Sequence, residues 1–196
     1  RGDAPPASVE FTVVSQGLPA DRARCGGVRF EKDGAAFYSG RGCTVGGARG
    51  WNVAAIDRAS GELLEPARNF DTWYSGTPAA TSMIDFLNRQ PDGAMLLIAV
   101  GDEAGMNVGR SSGCPSSPPP GSVCCQRLGG EFDRLRRALE QLGARELGRL
   151  CYWNSYAFIA IKGAGPQGER LAKAEDAIVR HTLRLNRPVS VSGGAR

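Results

Sequence analysis

Residues 94 to 100 read AMLLIAV, seven in a row without a polar side chain. The run is far shorter than the roughly 20 residues a helix needs to cross a bilayer. It shows no polar/apolar alternation, which predicts a strand buried on both faces. Trp51 to Asp57 (WNVAAID) is nearly as apolar and is read the same way. A chain with two such strands is organised around the inside of a sheet.

The segments around these strands read as antiparallel structure. Ser8 to Ser15 alternates, with Val9, Phe11 and Val13 on one face of a half-buried strand. Val28–Phe30 and Ala35–Tyr38 flank Lys32-Asp33-Gly34, and Asp-Gly is a strong hairpin signal. Arg58-Ala59-Ser60-Gly61 is a turn, and Glu62 to Phe70 returns from it. Pro66 cannot donate to a ladder, so this strand is an edge or carries a bulge. Tyr156 to Lys162 and Ile178 to Leu185 are the last strands. The polar segment between them (Gly163 to Asp176) has room for a short helix.

Two helices are expected. The first starts with Thr77 as N-cap and Pro78 at the first helical position, carries Met83, Phe86 and Leu87 on one face, and stops before Pro91 and Gly93. The second spans Glu131 to Leu142 with an apolar stripe of Phe132, Leu135, Leu139 and Leu142, and Gly143 stands where a C-cap belongs. Residues 1–7 read as a flexible arm, 8–186 as one domain, and 187–196 as a tail. The domain carries a Pro/Cys-rich insertion at 106–130 that includes SSGCPSSPPPGSVCC. With three consecutive prolines the insertion is not a helix.

The charge balance is +4, from 24 basic and 20 acidic residues. The excess is scattered, with no basic block interleaved with aromatics, so nucleic-acid binding is not expected. No apolar run is long enough for a membrane span. The first residues lack an apolar h-region, so the expectation is that any signal peptide has been removed or lies outside the sequence. The six cysteines (Cys25, Cys43, Cys114, Cys124, Cys125 and Cys151) are even in number and lack the paired CxxC spacing of a zinc site. Disulfides and a secreted or secretory-lumen location are the expectation.

No catalytic constellation assembles, so an enzyme is not expected. The single histidine, His181, falls in an alternating strand, and the glycine-rich stretch 42–50 lacks the Lys-Ser/Thr ending of a phosphate loop. No metal or cofactor is expected. Asp102-Glu103, at the exit of the apolar strand, is a carboxylate pair open to general acid/base work, to a cation site, or to a turn that caps and solvates. Asp71-Thr72-Trp73-Tyr74 is open to a sugar platform built on Asp71 and Trp73, or to a conformational lock in which Asp71 bonds local backbone amides. Tyr152, Trp153 and Asn154 form an aromatic cluster ahead of a strand.

The ordered set Arg49-Gly50-Trp51-Asn52-Val53, Ser60-Gly61-Glu62, Phe70-Asp71-Thr72-Trp73, Phe86-Leu87, Asp92-Gly93, Leu97–Val100 with Asp102-Glu103, Ala138-Leu139, Leu142-Gly143 and Tyr156-Ala157-Phe158 to Lys162-Gly163 resembles the interleukin-like EMT inducer (ILEI/PANDER-like) domain family. The resemblance runs from about Arg49 to Gly163. It implies an α+β fold of two packed antiparallel β-sheets with flanking helices, disulfide-stapled. It also implies a secreted signalling protein or an extracellular module of a carbohydrate-handling protein. One such module is the stem domain of protein O-linked-mannose N-acetylglucosaminyltransferase. There the sugar is held by the Asp of an Asp-Glu-x-Gly turn and the Arg of a Gly-Trp-Arg-Asp segment. This sequence matches the first with Asp102 and departs at the second, where Trp153 stands in the place of the Arg. For the cysteines the resemblance implies a Cys25–Cys43 pair, which leaves four to tie the insertion to itself and to Cys151. The expected function is a non-catalytic recognition module for a glycan or an extracellular protein through Asp102, Glu103, Tyr152, Trp153 and Asn154, in a larger assembly. The alternative is a secreted signalling ligand or structural subunit acting through 106–130.

Overall fold

The computed structural model describes residues 7–16, 26–42, 47–102, 131–150, 154–172 and 175–185. Residues 1–6 of the arm, the insertion, the tail, Glu103, Tyr152, Trp153 and all six cysteines lie outside the described residues, and with them the disulfide expectation.

The elements in chain order are strands β1 (Ser8–Gln16), β2 (Gly27–Lys32), β3 (Ala35–Arg41), β4 (Gly50–Ile56) and β5 (Leu63–Phe70), the one-turn helix α1 (Thr72–Ser75) and helix α2 (Thr77–Arg89). Strand β6 (Met95–Gly101), helix α3 (Glu131–Gln141), a 3₁₀ turn (Leu147–Arg149), and strands β7 (Ser155–Ile161), β8 (Gly165–Ala172) and β9 (Asp176–Arg184) follow. All strand pairings are antiparallel, in a four-stranded sheet of order β3-β2-β1-β9 and a five-stranded sheet of order β5-β4-β6-β7-β8. The expected pair of antiparallel sheets is there, and the described residues are mostly strand.

Every residue of β4, β6 and β7 is buried, as their apolar runs require. Alternation along them splits the core in two. Trp51, Val53, Leu96, Ile98, Tyr156 and Phe158 meet Met83, Phe86, Leu135 and Leu139 of the helices. Ala54, Ile56, Leu97, Ala99 and Ile159 meet Phe11, Val13, Phe30 and Val179 of the four-stranded sheet. The molecule is three layers thick: sheet, sheet, helices.

The turns follow their residues. Asp33 (φ 50°) and Gly34 (φ 78°) close a two-residue hairpin between Lys32 and Ala35, as Asp-Gly predicts. Pro66 lies on an edge strand and at a register shift, since Glu65 pairs with Ala55 but Arg68 with Val53. Gly143 (φ 97°) ends α3, its N–H reaching the Glu140 carbonyl while the Ala144 N–H reaches that of Leu139. That is the double bond of a Schellman cap.

Two expectations are corrected. Residues 165–172 form strand β8 and not a short helix. Gly163 (φ 80°) turns the chain back, and β8 runs along the sheet edge, where one flank meets solvent and polar side chains are tolerated. Pro166 stands at its register shift, opposite Ala160. The second correction concerns α2, which begins at Thr77 itself. Gly76 is its N-cap, because the preceding one-turn helix ends there at φ 56°.

Candidate functional site at one end of the central sheet

The register gathers the sequence candidates at one end of the five-stranded sheet. Gly50 pairs with Gly101, Trp51 with Phe70, and Ala99 with Ala157. Continuing each strand one step beyond its end places Asp71, Arg49, Asp102 and Asn154 in a row across β5, β4, β6 and β7. Residues separated by up to 105 positions in the chain become neighbours of one sheet edge because apolar patterning fixes the register.

Arg49 is the centre of this row. Its guanidinium grips Asp71 through Nη2 to Oδ2 at 2.8 Å and through Nε to both carboxylate oxygens at 3.1 Å. Both side chains are largely buried (13% and 11% exposed), which makes the pair a fixed strut and not a solvated surface contact. Asp71 Oδ1 also accepts the Tyr74 N–H at 3.0 Å and so N-caps α1. The conformational-lock reading of Asp71 is the arrangement found. Trp73, on that turn, is half-buried, and Tyr74 is 69% exposed.

The Arg-Gly-Trp-Asn run earns its spacing here. Gly50 adopts φ 87°, and a Cβ on it would strike the Phe70 carbonyl oxygen. Trp51 is fully buried edge-on to Tyr156, with ring centroids 5.8 Å apart. Asn52, also fully buried, donates to the Ala48 and Gly50 carbonyls and accepts from the Tyr38 hydroxyl (2.6 Å) and Asn69 Nδ2 (3.1 Å). Burial pushes the Tyr38 hydroxyl up to about 12, so it stays a neutral donor.

Asp102 leaves β6 in the left-handed region (φ 61°), a conformation Asp tolerates better than most residues. Its Cβ lies against the Gly42 backbone, where an added Cβ would come within 2.5 Å. Burial raises the carboxyl pKa, the Arg49 charge opposes that rise, and Asp71 adds to it. One guanidinium thus serves two carboxylates, bonded to Asp71 and attracting Asp102 through space.

Asn154 is turned inward. It is 2% exposed, and its Nδ2 donates to the Ala172 carbonyl at 3.3 Å. It helps fix the start of β7, directly after the Tyr152-Trp153 pair. His181 belongs to the other sheet, paired with Phe11, and burial followed by the Arg58 charge lowers its pKa. Among the described residues no three His, Cys, Asp or Glu side chains converge as a metal site, and no helix is long and apolar enough to cross a membrane.

Arg49 stands at the end of a glycine-rich stretch with no acidic partner close to it in the sequence. Its signal as a site residue was its place just before a doubly buried strand, antiparallel to the one that ends at Asp102.

A two-sheet β domain with helices on one face, its polar residues converging at one end of the inner sheet, is the class this geometry defines. Residues 49–112, about a third of the chain, match the family model described as interleukin-like EMT inducer. The chain is also similar to the human cell migration-inducing and hyaluronan-binding protein, 28% identical over 117 residues. The mouse protein of the same name matches equally. That alignment covers 60% of this chain and spans 7% of the length of those relatives.

Proposed function

We propose that this chain is a non-catalytic extracellular recognition module that takes a glycan at the end of the central sheet bearing Asp102. The observation that carries the reading is the half-buried Asp102 carboxylate, set in a left-handed turn beside the fixed Arg49–Asp71 pair. A carboxylate so placed accepts two hydroxyl hydrogen bonds from a sugar without reorganising, and burial strengthens both. Trp73 and the exposed Tyr74 supply aromatic surface on one side. In the sequence Tyr152 and Trp153 directly precede Asn154 and are further stacking candidates. Glu103 follows Asp102 directly, as a further acceptor. Aromatic faces with a few convergent polar groups suit a pyranose ring.

The similar human protein is called hyaluronan-binding, which supports a glycan as the ligand class. No cofactor or metal enters this reading, and no nucleophile–base pair does either. The module would act in a secreted or lumenal setting, as part of a larger assembly.

A glycan array with the intact chain tests the proposal. Binding to a defined set of glycans should fall about tenfold or more in Asp102→Asn, the loss of one charge-assisted hydrogen bond pair. Far-ultraviolet dichroism should be unchanged. Array signal untouched by Asp102→Asn, or none from the folded chain, overturns the glycan site. It would leave the alternative, a protein contact through 106–130, to be tested by deleting Gly113 to Cys125.

A further inference from the structure

The opposite end of the central sheet carries a second polar hollow. There β4 ends at Ile56 opposite Met95, and β9 pairs Arg184 with Ser8. A cavity of about 320 Å³ opens between the 57–61 turn, the 91–94 turn and the end of β9, lined by Asp57, Arg58, Leu64, Pro91, Asp92 and Arg184 among others. The size falls within the range of small-molecule sites, roughly 300–1,000 Å³.

The charges in it are not equivalent. Asp57 is committed to its own turn, accepting from the Ala59 N–H (3.0 Å) and the Ser60 hydroxyl (3.0 Å). Arg58 and Arg184 make no ion pair with a described residue, whereas nearby Lys32 is neutralised by Glu62 at 2.6 Å. Leu64, 42% exposed, and Pro91 give the wall an apolar surface.

From this we infer that the hollow is a second, independent binding site for a sugar carrying a carboxylate, a uronic-acid unit. The two guanidinium groups fit the carboxylate, which they can hold in paired hydrogen bonds. Asp92 accepts from ring hydroxyls, and Leu64 with Pro91 covers the ring's C–H face. An acidic peptide fits less well. It would meet the Asp57 and Asp92 charges without hydroxyls to offer them.

The test is an NMR titration of the intact chain with three probes. These are an oligosaccharide of alternating uronic acid and hexosamine, its carboxyl-reduced counterpart, and a Glu-rich peptide. Amide shifts should move at Arg58, Leu64, Asp92 and Arg184 with the uronate probe only. Arg58→Gln with Arg184→Gln should weaken that binding about tenfold or more, and raising salt should weaken it in the parent chain. Asp102→Asn should leave it unchanged, which separates this site from the one proposed at the other end. Equal binding of the reduced sugar, preference for the peptide, or no shift at these residues overturns the inference.

Discussion

At Asp102 two physical demands oppose each other. The turn needs a residue that accepts φ 61°, and burial disfavours the charge that a ligand would read. Its pKa lies above the ordinary 3.8 because desolvation outweighs the Arg49 charge. A carboxyl whose folded pKa is raised favours folding in its protonated form. That stability is present below the unfolded value near 3.8 and is lost as pH rises through the folded pKa. At neutral pH the ionised Asp102 therefore costs stability. Asparagine keeps the shape and tolerates the left-handed turn. Asp102→Asn should raise the urea midpoint above that of the parent at pH 7, with the gap closing as pH falls toward 4 and below. A variant less stable at pH 7 would mean that Arg49 outweighs burial. Asp102 was legible because an acidic pair at the exit of an apolar strand is a local pattern. The Arg49–Asp71 strut was not, because it joins residues 22 apart across a register that only the folded sheet fixes.

At the scale of elements, the Ser15 hydroxyl ties β1 of the four-stranded sheet to β6 and β7 of the other. The β6–β7 ladder ends at Ala99 opposite Ala157, and just beyond it Ser15 of β1 enters from the other sheet. Its Oγ donates to the Val100 carbonyl at 2.5 Å and accepts the Tyr156 N–H at 2.9 Å. Ser15 is fully buried, so no water replaces it. Ser15→Ala should lower unfolding free energy by about 2 kcal/mol or more, since two backbone groups are left unpaired in the interior. The measurement is equilibrium urea denaturation. A loss under about 0.5 kcal/mol, the size of an ordinary surface change, would show that the two strands close their own ladder without it. A second device explains the Lys-Gly at the end of β7. Lys162 Nζ donates to the Leu87, Asn88 and Gln90 carbonyls and caps the C-terminus of α2. The sequence showed the strand and the helix but not this bond. Lys162 is 72 to 75 residues from its acceptors, and a lysine after a strand has no local signature. Strand β8 escaped for a related reason. An edge strand of Gly, Pro and polar residues carries no apolar alternation, and only its ladder to β7 makes it a strand.

For the whole molecule, the sheet of β4, β6 and β7 is shared by both cores, so neither core can open alone without exposing it. Trp51, Leu96, Ile98 and Phe158 face the helices, while Ala54, Leu97 and Ile159 face the other sheet, all fully buried. Burial of this kind, at roughly 25 cal/mol per Å² of apolar surface, concentrates stability in those strands. The edge strands β3 and β5 are different, because half-exposed residues such as Phe37 and Leu63 contribute less there. Amide hydrogen exchange of the native chain should therefore separate three tiers. Amides of Leu96, Leu97 and Ile98 should exchange only by global unfolding, with a denaturant dependence equal to that of the whole domain. Those of β1 and β2 should come next, and those of β3 and β5 first, through local opening. A single perturbation decides whether the shared sheet couples the cores. Phe11→Leu shrinks only the sheet-to-sheet core, and it should speed exchange at Ile98, on the far face, by as much as at Leu97. Faster exchange at Leu97 with Ile98 unchanged would show two cores that open separately.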